Sequence, residues 1–206
     1  MRSITILCAL AMTIPLAAQQ TTTGDYERET AKVAAAAIPT LRALAEQAPD
    51  VVGLTAQEAA SAVLASPLRE VDVPLDRLKA YTSATDARSL FVDLQTTFYP
   101  VLVGSEIRSS ITVKRTERGW EATEFGNDEL AKRIAAVRGG DSSSALLVRV
   151  RALNLDFIAK DTSSGLQLIP LTDIPGTDIR AGSSAPANAV LAALVALANQ
   201  HNGLPT

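Results

Sequence analysis

Between Leu90 and Phe125 apolar and polar residues alternate with a period of two, and turn residues interrupt the pattern twice. Leu90, Val92 and Leu94 alternate with Phe91, Asp93 and Gln95, and the strand continues through Thr97 and Phe98 until Pro100 disturbs it. Gly104-Ser105 marks a turn. Ile107, Ile111 and Val113 then alternate with Arg108, Ser110, Thr112 and Lys114, giving one dry face and one wet face. Glu117-Arg118-Gly119 turns the chain again, and Trp120 to Phe125 forms a third strand. A period of two is a strand signal, and three strands joined by short turns make an antiparallel meander.

Helical periodicity surrounds this core. Val33, Ala37, Leu41, Leu44 and Ala45 recur at spacings of three and four, so a helix is expected from Tyr26, kinked or split by Pro39 and ended by Pro49-Asp50. Thr55 with Glu58 has the spacing of a capping box, opening a second helix that carries Ala59, Val63 and Leu64 and stops at Pro67. Residues 68–73 read as a short edge strand, and Pro74 with Asp76 opens a brief helix. Asn127 or Asp128 caps a helix bearing Leu130, Ile134 and Val137, which Gly139-Gly140 ends. Leu146, Val148, Val150 and Ala152 are even-numbered, whereas Leu153, Leu155 and Phe157 are odd-numbered; a β-bulge near Ala152-Leu153 would reconcile them within one long strand. Asp161 to Gly165 is a hairpin loop, and Leu166 to Leu171 returns.

The expected fold class is therefore α+β: an antiparallel sheet from residues 89–125 and 145–171, formed as a three-strand meander plus a long hairpin, with helices packed on one face. The globular domain spans residues 25–171, residues 172–185 read as a linker, and residues 186–206 form a C-terminal helix. That helix carries Val190, Leu191, Leu194, Val195 and Leu197 and is apolar nearly all round, which signals burial on the domain.

The amino terminus carries a different signal. Met1-Arg2-Ser3 is a short basic opening, Ile4 to Leu16 is an uncharged stretch of 13 residues, and Leu16-Ala17-Ala18 offers small residues to a peptidase. This is the order of a cleavable secretory signal over residues 1–18, followed by a flexible lead-in over residues 19–24. The stretch is short for a membrane span, which needs about 20 apolar residues. Export to a bacterial periplasm or the medium is the expectation. Cys8 is the only cysteine of the chain and lies inside this segment, so the mature protein has no thiol for a disulfide, a metal or a nucleophile. Removing residues 1–18 also removes Arg2, leaving 18 basic and 22 acidic residues in 188, a net charge of about −4. That balance gives no sign of nucleic-acid binding.

Catalytic and metal signals are weak. His201 is the only histidine, there is no G-x-S-x-G, and a zinc site has too few nitrogen and sulfur ligands, so neither a triad nor a metal nor a cofactor is expected. His201 reads as a surface residue at a helix carboxyl end, and Asp173 and Asp178 as turn residues. Gly139-Gly140-Asp141-Ser142 lacks the lysine of a phosphate loop and reads as a helix stop. Arg108 and Lys114, with Arg149 and Arg151, fall on wet strand faces and are candidate partner-binding residues for an acidic partner, should those strands be neighbours. Trp120 is a further candidate contact, its alternative role being core packing against the helix of residues 128–138. Asp93, Glu121, Glu124 and Asp156 supply the carboxylates for an acid–base pair.

The leading expectation is an exported, non-catalytic protein that binds a protein or small ligand of the envelope or medium. Two alternatives stand beside it: an exported hydrolase using paired carboxylates, and a structural or assembly subunit that docks through its C-terminal helix. The export expectation is checked directly: intact-mass analysis of protein recovered from its host should give a chain beginning at Gln19, and a full-length mass starting at Met1 would refute it.

Overall fold

The structure is a computed structural model and describes residues 23–138 and 145–201. Residues 1–18, read from sequence as a secretory signal, with Cys8, most of the lead-in, the 139–142 glycine motif and the chain end at Gly203 and Pro205, lie outside the described residues. Six α-helices are present among the described residues: α1 (Thr23–Gln47), α2 (Pro49–Val52), α3 (Ala56–Ala60), α4 (Leu75–Lys79), α5 (Asp128–Arg138) and α6 (Ala187–Gln200). They pack on one open sheet of nine strands: β1 (Val63–Leu64), β2 (Leu68–Asp72), β3 (Val92–Val103), β4 (Glu106–Thr116), β5 (Gly119–Phe125), β6 (Leu146–Val150), β7 (Leu155–Thr162), β8 (Gly165–Pro170) and β9 (Ala185–Pro186). The strand order is β5-β4-β3-β2-β6-β7-β8-β9, with β1 beside β3. The α+β class and the meander of β3, β4 and β5 are those the alternation predicts.

Every pairing is antiparallel except one. β2 and β6 run parallel, with Arg69 opposite Leu146 and Asp72 opposite Arg149. This corrects the expectation that residues 68–73 form an edge strand: β2 is the central strand, and it joins two antiparallel blocks. The sequence shows why a centre is tolerated there, since Leu68, Val71 and Val73 bury apolar side chains toward both faces.

The phase change near Ala152 is a turn rather than a bulge. Residues 151–153 form one 3-10 turn, Asn154 closes it with φ of 51°, and β7 returns beside β6 with Leu146 opposite Ala159. Even-numbered and odd-numbered apolar residues then share a face because a hairpin separates them. The second half is thereby a second meander, β6-β7-β8.

Other departures are local. The capping box at Thr55 and Glu58 is present, but the helix it opens has 5 residues; Val63 and Leu64 instead pair with Leu102 and Val101 of β3. α1 runs unsplit through the exposed Pro39, held on the sheet by Ala34, Ala37, Leu41 and Ala45 on its buried side. β3 continues past Pro100, whose carbonyl accepts from Ala65 N at 2.8 Å. Its nitrogen faces that same side, where β2 has ended and β1 begins, so no ladder donor is lost.

Successive buried residues of β3 alternate between the two faces. Tyr99 and Val101 pack under α1, while Phe98 packs with Leu130, Ala131 and Ile134 of α5. Val148 and Phe157 pack under Val190, Leu191 and Leu194 of α6, while Leu147 and Ile158 join the α5 side. α1 and α6 therefore share the first face, as expected for the helices, and α5 alone crosses the second. The reversal that sends α5 there is local: Gly126 (φ 102°) and Asn127 (φ 59°) follow β5, and Asn127 Oδ1 accepts from Leu130 N at 3.3 Å as the cap.

Residues 172–184 fold back on the sheet. Gly182 N donates to Pro170 O at 2.9 Å, Asp173 Oδ1 accepts from Ala181 N at 2.9 Å, and Ile174 is fully buried beneath α6. His201 caps the end of α6, half-buried, with its carbonyl accepting from Lys79 Nζ at 3.0 Å.

Gly126 is the most tightly packed glycine among the described residues. A Cβ there would lie 2.4 Å from Val51 O, and its positive φ strains any other residue. Gly126→Ala should lower unfolding free energy by about 1–3 kcal/mol, whereas Gly24→Ala, in open space, should not. Denaturant unfolding that ranks the two variants equally would contradict this packing.

Candidate functional site

α1 covers β3, β4 and β5 on the first face, and α6 covers the block from β2 to β8. Between the two helices the sheet is left open. The cross-strand register places Arg69, Leu146 and Ala159 in one row and Asp161 opposite Leu166 in the next. The gap forms a cavity of about 370 Å³. Its floor is apolar, made by Val71, Leu146, Ala159 and Leu166, and Phe91 from the 3-10 turn of residues 87–90 closes one side. A volume of this size lies in the range of small-ligand sites.

Two ion pairs stand at the rim. Arg69 Nη2 lies 2.5 Å from Asp93 Oδ2, with Nε at 3.3 Å from Oδ1, a forked contact. The same guanidinium sits 5.0 Å from the ring centre of Tyr26 on α1. The hydrogen bonds that Arg69 donates to Asp93 raise its pKa further above its already high ordinary value. Asp93 itself is set by a bulge: β3 skips Leu94 and Gln95 between the pairs Glu70–Thr96 and Val71–Asp93. Gln95 takes a left-handed φ of 49°, and its N–H donates to Asp93 Oδ1 at 2.9 Å. The second rim pair is Arg88 with Asp161, whose side chain is 75% exposed. An exposed pair such as Arg88–Asp161 contributes about 0–1 kcal/mol and is readily exchanged for a ligand contact, whereas the forked Arg69–Asp93 pair stays in place.

The second face carries a different cluster, astride the parallel β2–β6 junction. Arg149 Nε donates to Asp156 Oδ1 at 3.0 Å, and its Nη1 lies 3.8 Å from Glu70 Oε2. Arg151 Nε lies 3.8 Å from Asp72 Oδ1. Glu70 is 3% exposed. Burial pushes its carboxyl above the ordinary range, against the opposing pull of Arg149 and Arg151. Burial likewise pushes Asp72 up, against Arg151 and Arg149. Arg149 is moved upward overall: desolvation lowers it, and Asp156 and Glu70 outweigh that.

The candidate cations do not share one neighbourhood. β4, which carries Arg108 and Lys114, is separated from β6 by β3 and β2. Arg108 contacts Glu58 at 3.2 Å and Glu106 at 3.8 Å, Lys114 is exposed and opposite Glu121, and Arg149 and Arg151 face the carboxylates above. Trp120 does not pack against α5. It is half-buried on the first face, edge-on to Tyr26 with ring centres 4.8 Å apart, and Arg115 lies 5.4 Å from its ring. The physical reason is its register opposite Arg115, beyond the reach of α5 and under the first turns of α1. Of the carboxylates, Asp93 stands in the groove, Asp156 in the second-face cluster, Glu121 pairs with Arg118 at 3.0 Å, and Glu124 is exposed on β5. Arg69, Arg88, Phe91, Asp161, Glu70 and Asp72 were not singled out by sequence. Arg69 and Asp93 are 24 residues apart, and Arg88 and Asp161 are 73 apart, so no local spacing announces either pair.

No family model, curated protein or solved structure matches this chain. Among the described residues there is no group of His, Cys, Asp and Glu side chains arranged to hold a metal, and no helix long and apolar enough to cross a membrane.

The second-face cluster makes a pH prediction. Because the folded pKa values of Glu70 and Asp72 are raised above their unfolded values, the chain holds these protons more tightly when folded. Their contribution is fully present below the unfolded pKa and is lost as pH rises through the folded one. Glu70→Gln removes the more deeply buried of the two carboxylates. Its melting temperature relative to the parent protein should therefore rise as pH goes from about 4 to about 7. A difference that shrinks over that range would show the Arg149 attraction to dominate instead.

Proposed function

We propose that this chain is an exported, non-catalytic binding protein whose ligand occupies the groove between α1 and α6. The observation that carries the reading is the groove itself: a pocket on the sheet face where half-buried Leu146, Leu166 and Phe91 lie beside the Arg69–Asp93 and Arg88–Asp161 pairs. Export rests on residues 1–18, and the compartment is the periplasm or the medium. No cofactor is required for binding of this kind.

The hydrolase with paired carboxylates is the second reading. Glu70 with a raised pKa beside Asp156, on one face, is the feature that favours it. Arg149 stands against both carboxylates, which suits an ion-pair network across a strand junction better than an acid–base pair with room for substrate. The assembly reading has less support, because α6 packs Val190, Leu191 and Leu194 onto its own sheet.

Amide chemical-shift mapping with a library of small apolar fragments tests the proposal. Saturable shifts should cluster at residues 69–71, 88–91, 145–146 and 159–166. A library that leaves those amides unmoved, or moves only the surroundings of Arg149 and Asp156, would remove the groove from consideration.

A further inference from the structure

The charge balance at the rim of the groove specifies the ligand more closely, given that the groove is a binding site. Two arginines and two aspartates surround the apolar floor, so the rim is neutral overall. A ligand bearing only negative charge meets an aspartate beside every arginine. A ligand bearing only positive charge meets an arginine beside every aspartate. A ligand bearing one of each, at opposite ends of an apolar body, can satisfy both ends of the groove and leave no rim charge opposed.

The two pairs are not equivalent. Asp93 is fixed by the Arg69 fork and by Gln95 N–H, and a carboxylate has acceptor capacity for a further donor. It can add an ammonium without releasing Arg69. Arg88 is held by Asp161, whose side chain is 75% exposed and returns to water at little cost. Its planar fork is then free for a carboxylate. Asp93 on β3 and Asp161 on β7 are separated by β2 and β6, and Leu146, Leu166 and Phe91, each half-buried, offer contacts to aliphatic side chains.

We propose that the groove binds short apolar peptides through their free termini, with the ligand ammonium on Asp93, the ligand carboxylate on Arg88 and the aliphatic side chains on the floor. This rests on the groove-binding reading above.

The test is a titration of the isotope-labelled protein with Leu-Leu-Leu, its N-acetyl form, its C-terminal amide, and octanoate, followed by amide shifts. The free tripeptide should bind saturably at residues 69–71, 88–91 and 166, and each cap should weaken binding by about fivefold, the ceiling for an exposed ion pair. Arg88→Ala should weaken the free tripeptide about equally and leave the amide unaffected, since the two changes remove one contact. Asp93→Asn, which keeps the acceptor for Gln95 N–H, should do the same for the acetylated form. Caps without effect, or cap and Arg88→Ala effects that add, would overturn the assignment. Octanoate binding while the tripeptide stays silent would overturn it too and leave the groove standing as a site for simple anions. Silence from all four probes and from the apolar fragments would sink both the assignment and the site.

Discussion

The parallel contact between β2 and β6 is the constraint on which the molecule depends. On either side of it stand antiparallel blocks that hairpins can assemble locally, β3-β4-β5 and β6-β7-β8. Only this contact makes them one sheet, and it joins residues 69–72 to residues 146–149. Pairing across so long a separation carries a loop-closure cost that local hairpins avoid. It is secured by apolar packing on both faces, Leu68 with Leu147 on one and Val71 with Val148 on the other. The same two strands hold Glu70, Asp72, Arg149 and Arg151, so the buried charges lie across the joint. Replacing one partner of such a network leaves the other uncompensated, which costs more than the pair contributes.

The groove is a consequence of that joint. Each block brings its own covering helix, α1 for one and α6 for the other, and both lie on the first face. α1 is tied down by Tyr26 Oη, which accepts from Thr97 Oγ1 at 3.1 Å, by Thr30 Oγ1 at 2.8 Å from Tyr99 Oη, and by Arg42, which donates to the carbonyls ending α3. α6 is tied to α4 and to the folded-back segment that buries Ile174. Helices anchored to separate blocks have no reason to meet over the seam, and they do not. The groove runs along the joint, and Arg69, Val71 and Leu146, which line it, are residues of β2 and β6 themselves.

Much of the fold was legible because it depends on local chemistry. The alternation from Leu90 to Phe125 yields the first meander, the Thr55–Glu58 spacing yields the cap, and the 3.6-residue pattern places Ala34, Ala37, Leu41 and Ala45 against the sheet. The misreadings share a cause. A strand phase that flips at Ala152 is compatible with a bulge or with a tight turn, and only the pairing of Leu146 with Ala159 distinguishes them. Leu68 to Val73 reads as an edge because Val71 and Val73 alternate with charged residues, yet Arg69 lies against the Tyr26 ring and Glu70 is buried. Charge in a strand reports exposure only where no partner arrives from elsewhere.

The chain by itself determined the class of fold, an α+β domain, because periodicity and turn residues are properties of neighbours along the backbone. One histidine and one cysteine also supply too few nitrogen and sulfur ligands for a zinc site of the usual kind. The tertiary structure alone decided which carboxylate meets which arginine, since every one of those pairings at the groove rim closes a loop of tens of residues. It also decided that the arginines expected to form a basic patch stand in separate neighbourhoods beside carboxylates. The reason is strand order: β2 and β3 lie between β4 and β6, and no local pattern encodes which strand becomes the neighbour of which.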